Sequence, residues 1–348
     1  VRNILITLVL GVSLQVLSAQ STLDIYFIDV EGGQSTLVKT AAGETLLIDA
    51  GFPSTGTFDS KPANPATARD PQRILATARA AGVQRIDYVL VTHYHADHDG
   101  GLPELAQLLP MSAFIDHGDA LPSVETTSAG SLDAFRAYAA VRARGRHLEP
   151  KPGDRLPLKG LDALVLSAAG RTIDTPVAGA GAQNPACTAT AIPAGEPNEN
   201  PRSTGIRLQF GRFVFLDVGD LSGPPLHALV CPRDLVGAVD VYLVAHHGGA
   251  DAADPATFAA FRPRVSLFNG AAAKGNAAAT LSAARRVPDS DVWQLHRANE
   301  AGTANAPDDH VANLDESTAH WIKVSAREDG SFTVTNGRTG QTVSYARR

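Results

Sequence analysis

The stretch VTHYHADHDGG (Val91–Gly101) places His93, His95, Asp97, His98 and Asp99 within seven positions. Imidazole and carboxylate together suit zinc, or related borderline metals such as manganese and iron. A His-x-His pair on a loop can present two imidazoles, His93 and His95, to one ion, and Asp97 and His98 can then face a neighbouring ion. Two ions about 3.5–4 Å apart can share a bridging carboxylate and a bridging water, lower that water's pKa towards neutrality, and clamp the oxyanion that forms during attack. Asp220, at the end of FVFLDVGD, suits the bridging carboxylate, and His246 in AHHGG suits the last ligand of the second ion. A lone His-x-His in a surface loop is more often a solvated pair. Here LLIDAG lies upstream, and GD and HHG close apolar runs downstream, so ligand type and context agree at every element.

These residues need elements to hold them. RIDYVLV before the cluster reads as a buried strand, and GGLPELAQLL after it as a loop opening into a short helix with Pro103 in its first turn. The cluster therefore sits where a strand ends, which is where α/β folds place their chemistry. LDIYFIDV, STLVKT and ETLLIDAG read as neighbouring strands with a turn at Gly43-Glu44. PQRILATARAAGV reads as a helix capped at Gly82, SAFIDHGD as a strand, and SLDAFRAYAAVRARG as a helix with Ser131 as N-cap. DRLPLKGLDALVLSAAG and GIRLQFGRFVFLDVGDL read as hairpins, the latter turning at Gly211. VDVYLVAHHGG and RVSLFNG read as strands, PATFAAFRP and AAATLSAARRV as helices. The tail HWIKVSAREDGSFTVTNGRTGQTVSY reads as strands joined by Asp-Gly and Asn-Gly turns. Residues 171–201 lack periodicity and read as a long loop, an ordered lid across the site. Four strand ends thus carry Asp or His: Asp49, the His93 cluster, Asp217/Asp220 and His246/His247.

At 348 residues and 44% hydrophobic content the chain can bury a full core. A net charge of −6 with no long basic face argues against a nucleic-acid partner and leaves a small-molecule substrate. VRNILITLVLGVSLQVLSAQ has the layout of a secretory signal peptide, with cleavage expected after Ala19, so residues 20–348 form a single domain with a C-terminal β extension. A membrane anchor is the alternative, but the run is short and ends in small residues. Export would make the protein secreted or periplasmic, free of the membrane after cleavage. It would also favour a Cys187–Cys231 disulfide over two buried thiols.

LLIDAG, THYHADHDGG, FLDVGD and AHHGG resemble the metallo-β-lactamase superfamily of metal-dependent hydrolases. DVEGGQSTL and HHG resemble its branch of competence-type DNA-uptake hydrolases and phosphorylcholine esterases. The resemblance covers about Leu23 to Trp293 and implies an α/β four-layer αββα sandwich with two metal ions at one edge of the sheets. It implies His93 and His95 as ligands of the first ion, Asp97 and His98 of the second, Asp220 as bridge and His246 as final ligand. Asp97 also orients the attacking water, Asp49 supports the ligand loop, and His247 either replaces His246 or hydrogen-bonds substrate. Many relatives add a third histidine to the first ion, where this chain reads Ala168-Ala169-Gly170-Arg171. His117 is the candidate replacement, with a hydrogen-bonded loop histidine as the equal alternative. The branch's usual DVGQGD acidic position is Gln34 here, although Asp29 is retained. Lys274, Arg171 and His296 are candidates for substrate contact.

The implied function is hydrolysis by a metal-bridging hydroxide, on a small phosphodiester first and a lactone or β-lactam second. A non-catalytic binding module on the same fold is the reading from another class.

Overall fold

The computed structural model describes residues 22–53, 64–121, 131–188 and 197–348. The signal-like segment, with its cleavage point, lies outside the described residues, as do positions 189–196 of the expected lid. Two nine-stranded sheets pack face to face. The first is built from β1 (Leu23–Phe27), β2 (Thr36–Lys39), β3 (Thr45–Ile48), β4 (Ile86–Leu90), β5 (Met111–Ile115) and β6 (Arg146–Leu148). The second holds β7 (Arg155–Leu156), β8 (Asp162–Ala168), β9 (Arg171–Thr172), β10 (Gly205–Phe210), β11 (Phe213–Asp217), β12 (Val241–Leu243), β13 (Val265–Phe268), β14 (Asp291–His296) and β15 (Val311–Asn313). The chain then returns to the first sheet. β16 (Ile322–Ala326) pairs antiparallel with β1, and β17 (Phe332–Asn336) and β18 (Thr342–Tyr345) extend that edge.

Side-chain alternation along the strands separates the layers. Leu46 and Ile48 of β3 point into the core between the sheets, with Phe215 and Leu267, while Leu47 points outward against Ile74 and Leu105. In the second sheet Leu216 and Tyr242 face outward onto Leu229, Phe261 and Leu281. The outer layers are helices: Arg69–Ala80, Leu102–Leu108 and Ser131–Arg142 on one side, and Gly223–Val230, Pro255–Phe261 and Ala278–Arg285 on the other. This is the four-layer αββα sandwich.

Gly82 sits just past the first helix with φ +68°, the left-handed position a glycine adopts at no cost. Ser131 is the first helical residue, and its hydroxyl accepts from the Ala96 N–H at 3.3 Å. The helix Gly223–Val230 is a departure from the sequence reading: Pro224-Pro225 looks like a breaker, but both prolines occupy the first turn, where no N–H is needed. β6 and β15, each three residues long, also escape pattern reading.

The expected disulfide joins Cys187 to Cys231. The first described part of the long loop, up to residue 188, packs along the second sheet's outer helices. Val177, Gly181 and Asn184 donate backbone bonds to Leu235, Asp234 and Pro232, along the far side of the second sheet's helix layer.

Candidate metal centre

β3 and β4 run parallel, as do β11 and β12, so their carboxyl ends meet at one edge of the sandwich. Asp49, at the end of β3 with φ +57°, is fully buried. It accepts from the Thr92 N–H at 2.8 Å and the Thr92 hydroxyl at 2.7 Å, and it holds His98 Nδ1 at 2.8 Å. That leaves His98 Nε2 directed at Asp220 Oδ2, 3.2 Å away, with Asp97 Oδ2 at 3.6 Å. A carboxylate holding the far nitrogen of a histidine is the arrangement that orients metal-ligating imidazoles.

Two groups of ligand atoms result. Asp97, His98, Asp220 and His247 form one; His93, His95 and Asp220 form the other, the atoms of each lying within 4.8 Å of one another. His247 Nε2 lies 3.2 Å from both Asp97 Oδ2 and Asp220 Oδ2. Four ligands at about 2.0–2.1 Å from a tetrahedral zinc-class ion stand about 3.3–3.4 Å apart, so these separations fit one ion in their midst. The buried nitrogens His95 Nε2, His98 Nε2 and His247 Nε2, and Asp220 Oδ1, make no hydrogen bond. Close approach without hydrogen-bond alignment is how ligands facing a shared ion stand, and the mixed nitrogen and oxygen donors suit a borderline metal.

The electrostatics agree. Burial pushes the Asp220 carboxyl up, but His247 and His98 outweigh it and hold it well below the usual carboxylate range. For Asp97 the same opposition is won by Lys274, His98 and His247. Burial, with His98 beside it, holds His93 well below the usual imidazole value, and burial lowers His95. His98 is the exception: burial lowers it, yet Asp220, Asp97 and Asp49 raise it well above its usual value, so a proton is favoured where a cation belongs. Asp99, fully buried and with neither oxygen hydrogen-bonded, is pushed well up by that burial and belongs to neither group.

His246, expected to close the second group, does not; His247 stands there. His246 Nδ1 bonds Asp251 Oδ2 at 2.7 Å, and its Nε2 lies 3.8 Å from Asp220 Oδ2. The reason is backbone: His246 (φ +50°), His247 (φ +53°) and Gly248 (φ +71°) are all left-handed, and this turn decides which imidazole points inward. His117, the candidate third histidine of the first group, stands outside both groups, with Nε2 2.8 Å from Glu199 Oε2. His296 is buried against Asp29 at 2.8 Å and does not reach the cavity. Arg171 is exposed on β9, paired with Ala168, and does not line the cavity either. Lys274 does line it, and its ammonium contacts Asp97. Asp217 points away from the ligands and accepts from Gln34 at 3.0 and 3.1 Å; burial pushes it up to about 7.

A cavity of about 660 Å³ opens beside the ligands, lined by His95, Asp97, Asp220 and His246 below and by Glu31, Lys274 and Glu316 above. Asn198 and Asn200, at the end of the expected lid, also reach it. Sequence reasoning missed Thr92, which locks Asp49 to the histidine loop, and Asp251, which holds His246. Thr92 directly precedes the His-x-His pair, and that adjacency was the available signal.

Residues 28–182 match the family model described as the Metallo-beta-lactamase superfamily, a stretch that holds Asp49 and the whole histidine loop. The αββα layering and the two ligand groups agree with that match, which covers 155 of the 348 residues. No curated protein matches the chain. Among solved structures it is similar to CmlA, a diiron β-hydroxylase from Streptomyces venezuelae, at 11% identity and TM-score 0.45, covering 89% of this chain and 55% of that one. It is also similar to a diphosphatase of the PhnP family at 11% identity and TM-score 0.40, covering 88% and 98%. A HARLDQ-motif mutant of a metallo-β-lactamase from Cronobacter sakazakii follows at 17% identity and TM-score 0.37, covering 64% and 77%. The chain spans little more than half the length of CmlA.

Proposed function

We propose that the protein is an exported hydrolase of small phosphodiesters working with two zinc-class ions. The observation that carries this reading is Asp220, one buried carboxylate shared by two ligand groups beside one cavity. Ions bound there would supply Lewis acidity and a water of near-neutral pKa. The chain's own groups do the rest. Asp49 orients His98, and Asp97, held ionised and lining the cavity, can accept a hydrogen bond from the attacking water and orient it. Lys274 meets a phosphoryl oxygen with its ammonium.

Charge at the cavity supports the substrate class. Glu31 and Glu316 stand against Lys274, and Glu31 is already held by Arg69 at 2.6 Å and Arg73 at 2.7 Å. A phosphodiester brings one negative charge to that setting, whereas a phosphomonoester brings nearly two. DVEGGQSTL and AHHGG, which resemble the phosphorylcholine esterase branch, support the same class. Export is supported by the signal-like N-terminus and by the Cys187–Cys231 bridge, a feature of oxidising compartments.

A panel of small chromogenic phosphodiesters, lactones and β-lactams, assayed with zinc and with manganese, tests the substrate. Phosphodiester turnover should exceed the other two. Faster lactone or β-lactam turnover overturns the substrate class and leaves the metal site standing, while no turnover with both ions bound favours a binding module.

A further inference from the structure

We propose that the two histidines of AHHGG are divided between the two ions: His247 serves the second group, and His246 is the third histidine, and fourth protein ligand, of the first. The proposal rests on the two-ion reading above and assigns within it a ligand position that the chain otherwise leaves open.

The first group is short of donors. His93, His95 and Asp220 supply three ligand atoms, and the loop after β8 offers Ala168, Ala169 and Gly170 where an imidazole would be useful. His117 is held by Glu199. His246 is placed differently. Its Nε2 lies 3.8 Å from Asp220 Oδ2, the same distance at which His93 Nε2 stands from that oxygen. His246 lines the cavity together with His95 and Asp220.

Its hydrogen-bond partners suit a ligand as well. Asp251 Oδ2 sits 2.7 Å from Nδ1 and favours the tautomer with the proton on Nδ1. The amide of Asn200, with Nδ2 3.3 Å from His246 Nε2, then finds a lone pair there. A histidine with a carboxylate behind one nitrogen and a lone pair on the other is prepared for a metal. His246 is not in the group whose atoms lie within 4.8 Å of one another, although its Nε2 is 3.8 Å from Asp220 Oδ2. Its side chain is 28% exposed, so it can rotate towards Asp220 without disturbing the core.

The turn explains why both histidines are usable. Two consecutive non-glycine residues with φ near +50° are uncommon, and such conformations gather at functional sites. The left-handed pair brings both adjacent imidazoles to Asp220, their ring centroids 6.0 Å apart, with His247 Nε2 at 3.2 Å and His246 Nε2 at 3.8 Å from the same oxygen.

The test is metal binding, read by competition with a chelating dye and by the visible absorption of the cobalt-substituted protein. Wild type, His246→Ala, His95→Ala, His247→Ala and the double variants are compared, with circular dichroism confirming the fold. His246→Ala should weaken one ion at least tenfold and change the cobalt spectrum. His246→Ala added to His95→Ala should cost little more, because both serve the same ion, whereas added to His247→Ala it should weaken the other ion too. Asp251→Asn, which keeps the imidazole but loosens its orientation, should weaken the same ion about 10–100-fold. If His246→Ala binds both ions within twofold of wild type with an unchanged spectrum, the proposal is overturned and the two-ion reading survives. Loss that is non-additive with His247→Ala instead of His95→Ala also overturns it. A folded wild type that binds no ion overturns the two-ion reading itself.

Discussion

At the scale of single residues, the types were legible and the directions were not. A crowd of His and Asp at a strand end announces metal chemistry, and His93, His95, Asp97, His98 and Asp220 do converge. His246 and His247 differ by one position, and only the left-handed turn at their backbone decides which faces Asp97. Likewise Asp217 and Asp220 both end an apolar run; Gln34 claims the first and the histidines the second. His95→Ala and Asp220→Ala should each abolish hydrolysis, by more than about 100-fold in kcat/KM, the scale of losing a group that stabilises the transition state. Both variants should keep a native circular dichroism spectrum, since the loops that carry these residues contribute little to the core. Asp217→Asn should retain both ions; loss of metal there would mean that Asp217, not Asp220, is the shared ligand.

At the scale of elements, what positions the site is a set of buried carboxylates tying strand ends to the outer helices. Asp116, after β5, is fully buried and accepts from Tyr138 Oη at 2.5 Å, Arg142 Nη1 at 2.9 Å and the Gly118 N–H at 2.9 Å, with His147 Nε2 at 2.8 Å. Burial pushes its carboxyl up, but Tyr138, His147 and Arg142 win and hold it below its usual value. Asp116→Asn should cost about 3 kcal/mol at pH 7, because it leaves Arg142 without its carboxylate. An acid depressed in the folded state contributes stability above its unfolded pKa of about 3.9, and that contribution is lost as pH falls through the folded value. The gap between wild type and variant, measured by urea denaturation, should therefore be constant from pH 7 to 5 and narrow below about pH 4. Glu199, likewise buried and likewise depressed despite that burial, by His117, the Leu121 N–H and Arg202, should behave alike in Glu199→Gln. Strands and periodic helices were readable because apolar alternation is local. The helix that opens with Gly223-Pro224-Pro225, and the path of the long loop past the outer helices, were not, because each depends on what it packs against.

At the scale of the whole molecule, function depends on two parallel strand pairs in different sheets ending at one edge. No single motif shows that convergence; it follows only from the four-layer packing, with Ile48 and Leu90 of one sheet set against the core of the other. Ions bound to the folded chain alone stabilise it by mass action, about 2.7 kcal/mol at one hundred times Kd. Zinc should therefore raise the Tm by several degrees and a chelator should reverse it, whereas Asp220→Ala should respond to neither. The most direct measurement is the metal content of protein purified without chelator, wild type beside Asp220→Ala. About two zinc-class ions per chain are expected in wild type, and close to none in the variant, since one carboxylate serves both ligand groups. A wild type that is folded, active and metal-free would contradict the two-ion mechanism, and an Asp220→Ala variant that keeps both ions would contradict the shared ligand.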